Sequence, residues 1–271
     1  MTYNCIICNS TEFEHILNID KKPPLETDYK IPAEKYNRNI VKCKNCGAYL
    51  NQHNLLDEAF YSGNYNDAIE LGTLKTRFEK IINLPENISD NKSRVKRVLK
   101  YIENYGIKSS EISVLDIGSG TCVFLYEMKK HVQKTTCIDP DFNAISHAKN
   151  VVKVDDTFHG SVVDFNSKNK YDLITLNKVL EHLKSPIEVL IKIKNNISEN
   201  GLLYIELPHS EPIIKQNTIF EHSEFFVEHY SIHNETSIKK IAEIASYSIL
   251  DIGEIVDPSG KFTIFAFLKP L

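Results

Sequence analysis

The stretch VLDIGSGTC, residues 114–122, decides the fold class because it joins three elements within a few residues. An apolar run ends at Ile117, Gly118 and Gly120 follow at once, and a second apolar run starts at Val123. Glycines between a strand and a helix let the backbone approach a nucleotide-like ligand closely. The stretch therefore predicts a strand, a ligand-binding loop and a helix, in that order.

Strand-like and helix-like runs alternate on both sides of this loop. The alternation extends from residue 112 to residue 207 and indicates a parallel sheet covered by helices. Beyond it, the helix-like run 235–245 leads into two strand-like runs joined by the turn DPSG, residues 257–260. Two strands joined by a tight turn are antiparallel. We therefore predict a doubly wound α/β fold with a mostly parallel sheet that ends in an antiparallel strand.

The residues around the glycine loop discriminate between nucleotide-like ligands. A dinucleotide site uses the pattern G-x-G-x-x-G, and Val123 stands where its third glycine would be, so hydride transfer loses support. Asp116, two residues before the first glycine, suits a cationic amino group better than a pyrophosphate. Asp139 ends the next strand-like run, where an acid can bind ribose hydroxyls. An amino acid joined to a ribose describes S-adenosylmethionine, which we predict as the bound cofactor.

The charge balance of the 271 residues disfavours several classes of partner. Lys and Arg number 32 against 36 Asp and Glu, so the net charge of -4 gives no overall attraction to nucleic-acid phosphates or anionic membranes. No apolar run reaches the roughly 18 to 20 residues that span a bilayer, and the N-terminus lacks the layout of a signal peptide. We expect a cytoplasmic protein with a small-molecule acceptor and no nucleic-acid or membrane partner, and we leave its oligomeric state open.

A cluster of basic residues stands out in the predicted helix NKSRVKRVLKYIENYG, residues 91–106. Apolar residues share one face of this helix, so we expect the basic side chains to form its solvated polar face and not a nucleic-acid surface. The basic residues are Lys92, Arg94, Lys96, Arg97 and Lys100.

Two C-x-x-C pairs in the first fifty residues predict a structural zinc site. Each pair lets two thiolates converge from one tight turn, and Gly47 supplies backbone freedom after the second pair. A reducing compartment favours metal over disulfide for such pairs. Because four protein ligands leave no open position for substrate, the ion would hold together a segment that has few apolar residues. The predicted ligands are Cys5, Cys8, Cys43 and Cys46.

Four further stretches carry a family resemblance. VLDIGSGTCVFL, CIDPD, YDLITLNKVLEHLKSP and GLLYIELP resemble, in order and spacing, the motifs of class I S-adenosylmethionine-dependent methyltransferases. The resemblance covers about residues 85–271 and implies a seven-stranded sheet whose last strand is antiparallel. This chain departs from the family pattern at Cys122, which replaces a third glycine, and at Ser161, which stands where an acid is common. The donor contacts that the resemblance implies are Asp116, Gly118, Ser119 and Gly120 for the methionine moiety, Asp139 and Pro140 for the ribose, Ser161 and Val162 for the adenine, and Asn177 closing the pocket.

The four-cysteine segment followed by FYSGNY, residues 60–65, is similar to zinc-containing sugar methyltransferases. These include C-methyltransferases of nucleotide-linked deoxysugars. The resemblance implies acceptor-site tyrosines after the zinc segment, here Tyr61 and Tyr65, although either tyrosine fits a core position equally well. The C-methyltransferases carry a further C-terminal domain, and this chain stops after its hairpin, so we expect oxygen or nitrogen as the methylated atom.

The stretch FEHSEFFVEHYSI, residues 220–232, contains two Glu-His pairs, of which the resemblance selects one. In the sugar methyltransferases the pair precedes a helix-opening Ser-Leu at a fixed distance, which Glu228 and His229 reproduce and Glu221 and His222 do not. His229 is therefore predicted as the general base, with Glu228 fixing its tautomer. The alternative is that His229 only hydrogen-bonds the acceptor or packs under the following helix.

A third Glu-His pair, Glu181 and His182, follows the fourth strand-like run at the edge where open α/β sheets bind ligands. His182 either contacts the acceptor as a further catalytic residue or caps the pocket. We predict three parts of the chain, a zinc-binding module at 1–54, a helical connector or lid at 55–110 and the S-adenosylmethionine-binding domain at 111–271.

The predicted function is methyl transfer from S-adenosylmethionine to a small polar acceptor, such as a sugar, a nucleotide-linked sugar or a precursor of a surface polysaccharide. A keto-deoxysugar methylated on carbon is one alternative. An RNA or protein methyltransferase that grips its substrate with the zinc module is another, and the acidic charge balance disfavours it. A scaffold without activity would show a damaged donor loop, whereas this loop is intact apart from Cys122.

Overall fold

The computed structural model describes residues 3–56, 74–216 and 219–271, which build two β-sheets. Within these ranges, no helix is long and apolar enough to cross a membrane. The strands are β1 (Phe13–Ile19), β2 (Arg38–Cys43), β3 (Tyr49–Gln52), β4 (Ser113–Ile117), β5 (Lys134–Asp139), β6 (Asp156–His159), β7 (Tyr171–Asn177), β8 (Ile197–Pro208), β9 (Ser231–Ile232), β10 (Tyr247–Val256) and β11 (Phe262–Pro270). The α-helices are α1 (Leu74–Ile82), α2 (Asp90–Asn104), α3 (Val123–Met128), α4 (Phe142–His147), α5 (Pro186–Ile193), α6 (Ser210–Gln216) and α7 (Glu235–Ile244).

The larger sheet has seven strands in the order β10-β11-β8-β7-β4-β5-β6. The five strands from β4 to β8 are mutually parallel where they pair, and β11 runs antiparallel to both of its neighbours. Apolar side chains on both faces of the central strands are buried, because helices cover both sides of a doubly wound sheet. The predicted fold class is confirmed.

The smaller sheet combines the N-terminal segment with a strand from the far part of the chain. Its order is β1-β2-β3-β9, and β9 pairs with β3 through Tyr49 opposite Ile232 and Leu50 opposite Ser231. Residues of the N-terminal segment, including Ile7, share one apolar cluster with the larger sheet. We call the segment before β9, residues 225–230, the junction loop, because it lies where the two sheets are joined.

The basic face of α2 differs from the expected solvated surface. Lys96 is exposed, but Arg94 and Arg97 extend to the buried carboxylate of Glu206 near the end of β8, with Nη2 to oxygen distances of 2.5 and 2.7 Å. Burial opposes ionisation of Glu206, yet the two guanidinium groups hold its pKa well below the usual range. The expectation holds for Lys96 and Lys100, which are exposed. It was wrong for Arg94 and Arg97, because residues three apart on a helix share a side and a buried carboxylate stabilises both cations.

Candidate active site

The loop after β4 is a tight turn that places three residues in the left-handed backbone region. Gly118 and Gly120 have φ of +67° and +51°, and Cys122 has +59°. A Cβ on Gly118 would lie 2.8 Å from a methyl group of Val179, so only glycine fits there. The backbone N–H of Cys122 donates to the Ser119 carbonyl at 2.7 Å. The cysteine thus keeps the left-handed turn at the start of α3 that the replaced glycine would make.

The Asp139 carboxylate fastens this loop to the end of β5. One oxygen accepts the backbone N–H of Gly120 at 2.8 Å, and the other accepts that of Asp141, beyond Pro140, at 2.9 Å. Burial raises the pKa of Asp139. Because a carboxylate has about four acceptor positions, both oxygens can still bind the hydroxyls of a ribose.

Asp116 connects β4 to β7 beneath the glycine loop. Its Oδ1 accepts the Thr175 hydroxyl at 2.6 Å and the Asn177 side-chain amide at 2.9 Å, and burial raises its pKa to about 7. Among the described residues, Asn177 Oδ1 and Ser119 Oγ are buried without a hydrogen-bond partner. Buried polar atoms are nearly always satisfied, so a polar ligand or a bound water would supply the partners of these two atoms. The ammonium and carboxylate of a methionine moiety fit them.

The predicted adenine residues lie next to Asp139 and beyond β6. The backbone N–H of Gly160 donates to the Asp139 carbonyl at 3.0 Å, which brings the following Ser161 and Val162 to the same edge of the sheet. The Ser161 hydroxyl accepts the N–H of Val163, and Val162 is buried. Their role as adenine contacts stays a prediction.

Two predicted histidines meet at the carboxyl end of β7. His182 lies in the turn Leu180–His182, His229 lies in the junction loop, and their ring centroids are 4.6 Å apart at an interplanar angle of 62°. One side-chain ligand atom each from Glu181, His182 and His229 lie within 4.8 Å of one another. We call these three residues the histidine cluster, and they form a group that can share a proton or hold a metal ion.

Hydrogen bonds define the tautomers of both imidazoles. Nδ1 of His182 lies 3.1 Å from the Glu228 carbonyl, and Nδ1 of His229 lies 2.9 Å from the Glu224 carbonyl. A carbonyl only accepts, so Nδ1 carries the hydrogen and Nε2 the lone pair. Burial lowers the pKa of His182 to about 4 and that of His229 well below its ordinary value, with His182 adding to the latter effect. Both rings are therefore neutral at pH 7.

Glu181 is the fully buried acid of the cluster, and sequence reasoning gave it no role of its own. Within the described residues neither of its oxygens has a hydrogen-bond partner. Burial raises its pKa to about 8, although the nearby Lys178 favours the ionised form. The Glu-His pair directly after a strand could have identified Glu181 as a site residue. Thr175, which binds Asp116, gave no such signal, because a threonine in an apolar strand is ordinary.

The structure corrects the role predicted for Glu228. Nδ1 of His229 donates to the backbone carbonyl of Glu224, so a main-chain oxygen holds the tautomer. The Glu228 side chain is buried, and Glu26 and Arg38 of the N-terminal segment are among the charges that influence its pKa, which burial raises to about 7. Tyr61 and Tyr65 lie outside the described residues.

The four N-terminal cysteines converge as their spacing predicts. The Sγ atoms of Cys5 and Cys46 are 3.6 Å apart, those of Cys8 and Cys43 are 3.5 Å apart, and all four lie within 4.8 Å of one another. Tetrahedral zinc with Zn–S bonds of about 2.3 Å separates its sulfurs by about 3.8 Å. The donor set fits zinc and fills all four positions.

Both C-x-x-C turns close on a left-handed residue. The N–H of Gly47 donates to the Cys43 carbonyl at 2.9 Å, and the N–H of Asn9 donates to the Cys5 carbonyl at 2.8 Å. Gly47 was predicted for this position and Asn9 was not, although asparagine is among the residues that tolerate this conformation.

Comparisons with known proteins address the larger sheet and its loops. A family model for the methyltransferase domain matches residues 84–252, more than half of the chain. The mitochondrial ubiquinone biosynthesis O-methyltransferase of Saccharomyces cerevisiae is 30% identical over 146 residues, which are 51% of this chain and 46% of that protein. Its counterpart in Schizosaccharomyces pombe is 28% identical over 99 residues, which are 34% of this chain and 36% of that protein. The chain thus spans less than half the length of either relative.

Solved structures share the fold of the larger sheet. The magnesium protoporphyrin IX methyltransferase of Synechocystis with bound S-adenosylhomocysteine superposes with a TM-score of 0.56 at 14% identity, covering 73% of this chain and 94% of that one. The N-methyltransferase NodS of Bradyrhizobium japonicum, also with S-adenosylhomocysteine, gives a TM-score of 0.50 at 15% identity, covering 73% and 99%. At these identities the likeness concerns the fold alone.

Proposed function

We propose that this chain, which belongs to the methyltransferase domain family and is an S-adenosylmethionine-dependent methyltransferase, acts on a small acceptor rich in hydroxyl groups. The acceptor class is a sugar, a nucleotide-linked sugar or a related polysaccharide precursor, methylated on oxygen or nitrogen. The single observation that carries this proposal is the chemistry of the histidine cluster.

The histidine cluster offers several hydrogen-bonding groups that have no partner among the described residues. Glu181 has two buried oxygens without partners among the described residues, and the tautomer of His229 puts a lone pair on Nε2. A ligand that satisfies such a site must bring several groups at short spacing that can both donate and accept hydrogen bonds. Neighbouring hydroxyls on a sugar ring do this, whereas an apolar ring with a single phenol leaves at least one of these buried groups unsatisfied.

The proposed mechanism assigns binding and proton transfer to this chain's residues. S-adenosylmethionine supplies an electrophilic methyl group when bound. Asp139 would hold its ribose, Asp116, Ser119 and Asn177 would surround its methionine moiety, and the glycine loop would let the backbone come close. Nε2 of His229 would accept the proton that leaves the acceptor oxygen as the methyl group arrives. In its ionised form, which the nearby Lys178 favours against burial, Glu181 would stabilise the imidazolium.

We further propose that Cys5, Cys8, Cys43 and Cys46 bind one structural zinc ion. The closed ligand set and the small apolar content of residues 1–54 support a role in folding and not in chemistry. The division into a zinc-binding module, a connector at 55–110 and a donor-binding domain at 111–271 is part of this proposal.

A transfer assay with tritiated S-adenosylmethionine tests the acceptor class. Panels of nucleotide sugars and sugar phosphates, of simple phenols and of primary amines are incubated separately, with the His229→Ala chain as the matched control. We expect label in the sugar panel that depends on His229. Label confined to the phenols would overturn the acceptor class and leave the methyltransferase activity standing.

A further inference from the structure

The N-terminal segment contains four buried polar side chains that bind outside the segment. Buried polar side chains are nearly always hydrogen-bonded, mostly to backbone groups or water. Here each of the four binds the backbone of residues 225–227 in the junction loop, which also contains His229. The residues are Glu26, Arg38, Asn51 and His53.

Glu26 and Arg38 hold the start of the junction loop as an ion pair. Nη2 of Arg38 lies 3.1 Å from Glu26 Oε2, and both side chains are almost fully buried. Arg38 Nη1 donates to the Phe225 carbonyl, while Glu26 Oε2 accepts the N–H of Val227 at 2.8 Å. A buried pair of this kind is by itself weak evidence for stability, and here each partner also binds the backbone of the junction loop.

Asn51 and His53 of the same segment bind the next carbonyls. The Asn51 amide donates to the Phe226 carbonyl at 3.1 Å, and His53 Nε2 donates to the Val227 carbonyl at 2.8 Å. The donor role of His53 follows because its Nδ1 accepts the N–H of Leu55. Three consecutive residues of the loop are therefore fixed by side chains from one module.

The loop held in this way determines the geometry of the histidine cluster. The N–H of His229 donates to the Phe226 carbonyl at 3.1 Å, and the N–H of Tyr230 donates to the Glu181 carbonyl at 2.7 Å. The Glu228 carbonyl bonds Nδ1 of His182. A shift of residues 225–227 would thus be passed to both imidazoles.

We propose that Glu26 and Arg38, supported by Asn51 and His53, are positioning residues that aim His229 at the acceptor. The zinc-binding module would then hold the junction loop in position, an arrangement we call the clamp, in addition to its role in folding. The catalytic role of His229 rests on the proposed function. The effect of the N-terminal segment on the position of His229 can be measured without any acceptor.

Nuclear magnetic resonance of the full chain labelled with ¹⁵N-histidine tests the clamp directly. The His229 ring signals are assigned by their loss in His229→Asn. In the wild-type chain we expect a single neutral tautomer with hydrogen on Nδ1. Arg38→Gln should convert it to a mixture of tautomers, and Arg38→Lys, which keeps the charge but not the fork of donors, should restore part of the single tautomer.

Calorimetry with S-adenosylhomocysteine on the same samples shows whether the donor domain is folded. Lys42→Gln is the matched control, because it removes another contact between module and domain, to Glu211, that does not touch the loop. If Arg38→Gln prevents folding, the His229 signals are measured in Asn51→Ala instead, because this change removes only one hydrogen bond to the junction loop. The clamp would be contradicted if the His229 signals are unchanged in a folded Arg38→Gln or Asn51→Ala chain. It would also be contradicted if Lys42→Gln changes them equally. Neither result would affect the proposed reaction.

Discussion

The proposed donor side and the proposed acceptor side of this site are built in different ways. On the donor side, hydrogen bonds join the ends of the neighbouring strands β4, β5 and β7. On the acceptor side, a turn after β7 meets the junction loop, which the N-terminal segment holds in place. Short motifs therefore specify the donor side, whereas contacts between distant parts of the chain specify the acceptor side.

Loss of a predicted zinc ligand should have the largest effect of all the changes, and this effect should fall on the acceptor side, which the N-terminal segment holds. We expect one zinc ion per chain, and Cys43→Ser should lose it and lower the melting temperature by about 10 °C or more, because metal binding energy is folding energy here. Metal analysis and thermal melts measure both quantities. Asn45→Ser, an exposed change in the same turn, is the control. A Cys43→Ser chain as stable as wild type would contradict the zinc assignment.

Asp139→Ala should damage the donor side and leave the histidine cluster intact. The change removes a buried carboxylate that binds two backbone N–H groups and, by our assignment, the ribose. We expect S-adenosylmethionine affinity to fall at least about tenfold by calorimetry, as for the loss of a charged hydrogen bond. Asp156→Ala, at a half-exposed ion pair on β6, is the comparison. Equal affinities for the two variants would remove Asp139 from the site.

The pH dependence of donor binding should be smaller and should report on Asp116. Burial raises the pKa of this carboxyl to about 7, so it is neutral below that pH and cannot pair with an ammonium group. We expect affinity to rise as pH increases through 7, by up to about tenfold per pH unit on the acid side. Titration calorimetry from pH 5.5 to 8.5 measures this pH dependence, because the range extends about one pH unit or more to either side of that pKa. In Asp116→Asn the change of affinity with pH should vanish. A pH dependence that remains in this variant would show that another group causes it.

The sequence predicted the geometry of the glycine loop well because its features are local, and the donor contacts of that loop stay a prediction. A strand, a glycine turn and an acid at the end of the next strand each follow from residue type and spacing, and Gly118 and Asp139 lie where expected. The four cysteines converge for the same reason. Thr175 was missed, because nothing in an apolar strand distinguishes a threonine that binds a buried acid.

The acceptor side could be predicted only in part. His182 and His229 were selected, but the partner of His229 is a main-chain carbonyl, which no side-chain pattern reveals. The pairing of β3 with β9 and the bonds from Arg38 depend on how two distant segments pack. Arg94 and Arg97 were misjudged for a related reason, because their buried partner Glu206 lies on another element.

The turnover of His229→Ala, measured beside its donor affinity, tests the central claim most directly. Tritium transfer to the sugar acceptor found in the screen and calorimetry with S-adenosylmethionine are run on one preparation, with His222→Ala as the matched histidine. We predict unchanged donor affinity and a turnover reduced at least about a hundredfold for His229→Ala alone, the size expected when a general base is removed. Turnover within a few-fold of wild type, or an equal loss in His222→Ala, would contradict the account.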